Sequence, residues 1–254
     1  ASVVVMRPED GAVLAMANTP TFDPTEAVPA KGEAHQAALG HRRNTAVQAS
    51  SEPGSVMKMI TVTMAFDTGR YTQASMMNCE NGRYPRPGRK PITDLHHGYG
   101  VIPVPMILVK SSNIGVAKIA GALGPETLWN YLQRFGMGRK TGIELPGEDM
   151  GMLSSHEYIA FGHEITATAI QLARATAVVA NGGYLVNPHL VARKHRVRPD
   201  GAVEDLPVPQ AAPRRVIKGE TAILMRQVMQ RVVVEGTGKR AKVGGWSTGG
   251  KTGS

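Results

Sequence analysis

The sequence predicts one α/β or α+β unit, with strands towards its two ends and a helical middle. Three observations carry this. Ser2 to Met6 and Ala12 to Met16 are apolar runs separated by Pro8-Glu9-Asp10-Gly11, which reads as a hairpin of buried strands. Glycines then close a series of apolar helical patterns through the centre. Finally, Gly244 to Ser254, GGWSTGGKTGS, is glycine-rich where a further strand is expected to start. A chain of 254 residues, 42% of them hydrophobic, can bury one substantial core. No repeat at solenoid periods appears, and the order of elements argues against successive βαβ units.

From Asn18 to Ser51 the composition turns to Pro, Ala and polar residues without clear periodicity, which predicts a long surface excursion. Ser55 to Asp67 is a predicted helix, opened by Pro53 and closed by Gly69, and its apolar character nearly all round makes it central and buried. Further helices are predicted at Met106 to Val109, Ile114 to Leu123, Glu126 to Phe135, Ala167 to Ala180 and Glu220 to Val234. Gly124, Gly136, Gly182 and Gly236 close most of them.

With 29 basic against 20 acidic residues, the formal charge of +9 suits anionic surroundings or simple solubility. The basic residues are scattered and no nucleic-acid recognition motif is visible, so no nucleic-acid partner is expected. No apolar run reaches the roughly 18 residues a membrane helix needs, and ASVVVMRPEDG lacks the features of a signal peptide. Any targeting segment is therefore expected outside this chain. Cys79 is the only cysteine, which excludes an internal disulfide and a CxxC site, and its loop NCENGRYPRPGRK shows no activating neighbour. His96-His97 sits in a Gly-rich loop without other ligand types, so no metal and no cofactor are expected.

Ser55-Val56-Met57-Lys58 puts a hydroxyl at the start of the buried helix and an amine three residues on, on the same face. A serine hydroxyl becomes a nucleophile when a neighbour accepts its proton. A lysine does this once desolvation or nearby positive charge destabilises its ammonium form. The helix N-terminus also favours negative charge on the attacking oxygen. The pattern alone is weak, since roughly one SxxK is expected by chance at this length; a surface helix bearing both residues is the alternative.

Ser111-Ser112-Asn113 interrupts two helical patterns, so Ser111 and Asn113 are expected to face a shared cleft, while Asn113 also reads as an N-cap. A hydroxyl there could relay a proton, and a carboxamide could hold both a lysine and a substrate amide. Lys251-Thr252-Gly253-Ser254 and Lys140-Thr141-Gly142 are two KTG copies. The first of these is favoured for the site because a hydroxyl follows at Ser254, where Ile143 follows the other, and because neighbouring glycines permit close ligand approach.

SxxK, SxN and KTG in that order form the set used by penicillin-binding proteins and class A β-lactamases. GAVLAMANTPTFDP, RNTAVQASSEPGSVMK, VKSSNIGVAKIA, RFGMGRKTGIELPGE, QLARATAVVANGG, VVEGTGKRA and GGKTGS resemble, in order, segments of the transpeptidase domain of class B penicillin-binding proteins. The resemblance covers essentially the whole chain, and the SSN form after EPGS is closer to the division-type, septal members. It implies a penicillin-binding protein and serine β-lactamase-like fold, an antiparallel sheet flanked by helices. It also implies a single transpeptidase domain over residues 1–254, with further strands, a membrane anchor and a pedestal domain outside the chain.

The resemblance implies Ser55 as acylated nucleophile, Lys58 as general base, Ser111 as proton relay and Asn113 as a contact for the donor peptide. Lys251 would supply positive field, Thr252, Gly253 and Ser254 would bind the donor carboxylate, and the amides of Ser55 and Ser254 would form the oxyanion hole. Peptidoglycan stem peptides and β-lactams are the implied ligands, membrane divisome proteins the implied partners, and the extracytoplasmic face of the bacterial membrane the implied location. A serine β-lactamase or D,D-carboxypeptidase, and a non-catalytic β-lactam receptor, are the competing readings. Two departures stand out: Ser254 where threonine is commoner, and His163-Glu164 where the family has a small or amide residue followed by glycine. Both His163 and Glu164 are expected to be solvated.

Overall fold

In a computed structural model of the protein, residues 1–29, 31–95, 98–153, 159–160 and 162–253 are described. β1 (Ser2–Met6) and β2 (Val13–Asn18) form the expected antiparallel hairpin, with Val3 opposite Ala17 and Val5 opposite Ala15. At Gly11 the chain turns with φ 88°, and a Cβ there would lie 2.3 Å from the Asn187 carbonyl oxygen. Only glycine fits that approach.

The excursion over 18–51 is more ordered than its composition predicts, holding α1 (Glu33–Arg42) and α2 (Thr45–Gln48). α1 buries no residue, so no apolar stripe announces it. α2 is only one turn, but it buries Ala46 and Val47.

The predicted Ser55 to Asp67 helix is present in two parts. Gly54–Met57 forms a 3-10 turn and α3 (Lys58–Asp67) continues it, with every residue of α3 buried. Gly54 has φ 54°, and this left-handed step after Pro53 tightens the entry. Ser55 therefore sits on the 3-10 turn and Lys58 opens the α-helix.

Strands also occur in the middle, contrary to the expected placement at the two ends. β3 (Met76–Asn78), β4 (Arg83–Arg86), β5 (Arg89–Thr93) and β6 (Val101–Pro103) pair as β3 with β6 and β4 with β5, all antiparallel. They are three to five residues long, and β4 and β5 are rich in Pro and Arg, so they show no period-two apolar pattern.

α4 (Val104–Lys110), α5 (Asn113–Leu123) and α6 (Pro125–Arg134) follow, then β7 (Met152–Leu153) paired with β8 (Ile165–Thr166). α7 (Ala169–Ala180) begins with a reciprocal cap in which Thr168 and Gln171 satisfy each other's backbone. β9 (Tyr184–Leu185), β10 (Lys194–Val197), β11 (Val203–Leu206) and β12 (Arg214–Arg215) precede α8 (Gly219–Val234); β9 pairs with β12 and β10 with β11. Described residues 244–253 contain no strand.

The core is helical. α3 packs against α4, α5, α6 and α8, burying Met59, Ile60, Val62 and Met64 among Ile107, Leu108, Ile119 and Met225. Each such side chain contributes about 1.5–3 kcal/mol by leaving water. Asp67 at the end of α3 accepts from the Tyr131 hydroxyl at 2.6 Å and the Lys218 amide at 2.8 Å, pinning α6 and the start of α8 to it. Burial and the neighbouring carboxylate push the Tyr131 phenol up to about 12. This rigid α3 carries the site.

Candidate active site

Lys58 is fully buried, and three oxygens surround its ammonium nitrogen. Nζ donates to the Ser111 carbonyl at 2.6 Å and the Asn113 Oδ1 at 2.5 Å, with Ser111 Oγ at 3.2 Å. The first and second motifs thus meet directly, across more than fifty residues of sequence. Ser111 ends α4 in the left-handed conformation, φ 60°, ψ 39°, which turns its carbonyl and hydroxyl towards α3. The N-cap of α5 is Ser112, not Asn113: its hydroxyl accepts from the Gly115 amide at 3.0 Å, and Asn113 is the first helical residue. That releases the Asn113 carboxamide for the cleft.

Burial lowers Lys58 to about 7, the positive charge of Lys251 adds to this, and Asp94 opposes it. Lys251 itself is brought down to about 8 by burial. Near neutral pH a substantial fraction of Lys58 is therefore the free amine, with two N–H groups and one lone pair. The Ser111 carbonyl and Asn113 Oδ1 can only accept, so they take the two N–H groups. The lone pair is left for a hydroxyl proton, as a general base requires.

The third motif packs on the turn that carries Ser55. A Cβ at Gly253 would come within 2.9 Å of the Pro53 carbonyl oxygen and 3.0 Å of Val56 Cγ2, so a larger residue would displace one segment from the other. Thr252 Oγ1 lies 2.8 Å from Thr237 Oγ1, and Lys251 Nζ donates to the Thr252 carbonyl at 2.9 Å. Ser254 lies outside the described residues, and with it the second amide expected for an oxyanion hole.

The other KTG copy serves the fold. Thr141 donates its amide and hydroxyl to Glu148 Oε1 at 2.5 and 2.6 Å, and the Gly142 amide donates to Oε2 at 3.1 Å. Its carboxylate-binding capacity is filled by Glu148.

Three residues at the site had gone unrecognised in the sequence. Asp94 accepts from the Asn113 and Ile114 amides at 2.6 and 3.1 Å and from the Ser112 hydroxyl at 2.8 Å. Thr237 anchors Thr252, as above. Glu52, three positions before Ser55, accepts from the Glu164 amide at 3.1 Å and contacts His163 Nδ1 at 3.2 Å.

That last contact corrects the expectation that His163 and Glu164 are merely solvated. His163 is exposed but tethered. Glu164 has φ 61°, where a side chain is strained, and one of its carboxylate oxygens is buried with no hydrogen-bond partner among the described residues. Adjacent Gly162 presses on the Ser55 turn, since a Cβ there would meet the Gly54 carbonyl oxygen at 1.9 Å.

Cys79 is fully buried, and burial pushes its thiol up, away from reactivity. Among the described residues no group of three or more His, Cys, Asp or Glu could hold a metal ion; His96 and His97 lie outside them. No helix among the described residues is long and apolar enough to cross a membrane.

Comparison with known proteins identifies the family and the fold. The family model described as penicillin binding protein transpeptidase domain matches residues 1–254. Penicillin-binding protein PbpB of Mycolicibacterium smegmatis is 33% identical over all of this chain, which spans 40% of that relative. A probable peptidoglycan D,D-transpeptidase PenA of Neisseria gonorrhoeae is 30% identical, again over the whole chain and 41% of its own length. The chain thus spans about two fifths of these curated relatives. A crystal structure of penicillin binding protein 3 from Mycobacterium tuberculosis, complexed with aztreonam, superimposes with a TM-score of 0.85 at 30% identity, over 99% of this chain and 57% of that one. With a buried, deprotonatable lysine beside the serine turn and a match along its full length, the chain belongs to the penicillin binding protein transpeptidase domain family.

Proposed function

We propose that this chain is the catalytic domain of a peptidoglycan D,D-transpeptidase that forms an acyl-enzyme on Ser55. The observation that carries the reading is Lys58, fully buried, lowered to about 7 and bonded to Ser111 and Asn113. In this scheme Lys58 accepts the Ser55 hydroxyl proton as the oxygen attacks the penultimate D-alanine carbonyl of a stem peptide. The carbon–oxygen ester bond forms, the peptide bond breaks, and terminal D-alanine leaves with a proton relayed through Ser111. An amine of a second stem then attacks the ester, forming the cross-link and returning the proton to Ser55. Asn113 holds the donor peptide, and Thr252, Gly253 and Ser254 take its terminal carboxylate beside Lys251. β-Lactams acylate Ser55 in the donor's place.

The similarity to PbpB proteins and to penicillin binding protein 3 supports a septal role, with divisome partners and an extracytoplasmic location. Labelling the full-length protein with fluorescent penicillin and mapping the labelled peptide tests the scheme. Label is expected on Ser55, with loss of both label and cross-linked product on Ser55→Ala. Absence of label at Ser55 would overturn the assignment. A penicilloyl ester that turned over within seconds would point to a β-lactamase instead.

A further inference from the structure

We propose that Asp94 is a positioning residue of the acylation site, fixing Asn113, and through it Lys58, by binding the turn between α4 and α5. The inference rests on the reading of Ser55 and Lys58 as nucleophile and base, and extends it to a residue outside the three motifs. Asp94 follows β5 directly, and its own amide donates to the Gly82 carbonyl at 3.1 Å, so the hairpin β4–β5 sets its position. One carboxylate oxygen takes the Asn113 amide at 2.6 Å and the Ile114 amide at 3.1 Å. The other takes the hydroxyl of fully buried Ser112 at 2.8 Å, while that hydroxyl accepts from Gly115 at 3.0 Å. Three free amides of the α5 N-terminus are thereby satisfied, two by Asp94 and one by the serine it orients.

The neighbouring residue completes the device. The Thr93 carbonyl accepts from Asn113 Nδ2 at 2.8 Å, so the carboxamide nitrogen is held on the hairpin side and Oδ1 is left to Lys58 at 2.5 Å. Loss of the Asp94 clamp frees the Asn113 backbone and lets the amide turn, presenting N–H donors to an amine that needs an acceptor.

Asp94 is also the negative charge that opposes the lowering of Lys58, with Lys251 the positive charge facing Lys58 from the third motif. Around Asp94 itself lie Cys79 and Tyr99, both raised first by burial and further by this carboxylate. The two contributions, geometry and charge, predict separable outcomes.

The test uses Asp94→Asn and Asp94→Ala in the full-length protein, with acylation by fluorescent penicillin followed across pH. Direct titration of Lys58 by nuclear magnetic resonance of isotope-labelled lysine runs in parallel. Asp94→Asn keeps an acceptor oxygen but removes the charge, so the rising limb of acylation and the Lys58 titration are both expected to move to lower pH. Asp94→Ala removes the clamp as well, and its maximal acylation rate is expected to fall by about tenfold or more. A purely structural role would lower thermal stability and leave the limb in place. Should Asp94→Ala fail to fold, the Asn variant decides through the limb and the titration. An unmoved titration in Asp94→Asn, or wild-type acylation in a folded Asp94→Ala, would overturn the proposal. A wild-type protein that is not acylated while its Lys58 titration still responds to Asp94→Asn would instead count against the transpeptidase reading alone.

Discussion

Gly253 lies against Pro53 so closely that a side-chain carbon would come within 2.9 Å of the proline carbonyl oxygen. The last motif is therefore seated on the turn that carries Ser55, and the glycine is required by backbone proximity. Its φ is not in the left-handed region, so the space alone excludes a side chain.

Gly253→Ala is accordingly expected to push the Lys251–Thr252 segment off the turn without unfolding the helical core. A displacement of about 1 Å at reacting groups can cost up to a hundredfold in rate. The acylation rate by fluorescent penicillin should fall by at least about tenfold, while the melting temperature stays close to wild type. An unchanged rate would show that the segment yields without disturbing Ser55.

Lys58 sets a pH dependence of stability. Its ordinary value of 10.5 is lowered to about 7 in the fold, so between these values the unfolded chain holds a proton that the folded chain releases. Stability therefore rises with pH through this window; the full cost is present below about 7 and is gone above the unfolded value. At about 1.4 kcal/mol per unit, the difference amounts to about 5 kcal/mol. Lys58→Met removes the titrating group but leaves the Ser111 carbonyl and Asn113 Oδ1 without their donor, which offsets part of the gain. Melting curves should show the variant's advantage over wild type greatest near pH 6 and shrinking by several kcal/mol towards pH 10, each pH being about that value. A difference constant with pH would mean that Lys58 is not held as a neutral amine.

The motifs were legible because each spans at most four residues, and turn or helix geometry fixes the relation between their members. α3 was legible because it is apolar throughout, and α7 because Thr168 and Gln171 form a recognisable cap. α1 was hidden because it buries no residue, β3 and β6 by their brevity, and β4 and β5 by their Pro-Arg composition as well. Asp94, Thr237 and Glu52 were missed for another reason. Each acts across 15 to 112 residues, on Asn113, Thr252 and Glu164 respectively, and a single aspartate, threonine or glutamate in a loop carries no periodic or spacing signal of its distant partner. The second KTG illustrates the converse, since Glu148 lies only seven residues from Thr141, and the local pattern built a structural clamp.

That clamp gives a prediction of its own. Glu148 is buried and receives the Thr141 amide and hydroxyl and the Gly142 amide. Glu148→Ala leaves these donors without an acceptor and should destabilise the protein by about 2–4 kcal/mol. Glu148→Gln keeps an acceptor in place and should cost less. Chemical denaturation of the two variants checks the order, and equal losses would mean that packing rather than hydrogen bonding holds the loop.

Glu164 stands in the left-handed region at φ 61° with one carboxylate oxygen buried and unpartnered among the described residues. The backbone strain costs about 1–2 kcal/mol for a residue with a Cβ, and an unsatisfied buried polar atom adds about 1–3 kcal/mol. Glu164→Gly removes both costs and retains the backbone N–H that donates to Glu52 Oε1. The greater freedom of glycine in the unfolded chain takes back about 0.5–1 kcal/mol. The net expectation is a gain of about 1–4 kcal/mol, each kcal/mol raising the melting temperature by about 2–4 °C for a chain of this size. Glu164→Gln, which keeps the strained backbone and loses only the charge, should gain less. A lower melting temperature for the glycine variant would show that the carboxylate makes a stabilising contact in solution, and the strain at this position would then be the cost of keeping it beside the Ser55 turn.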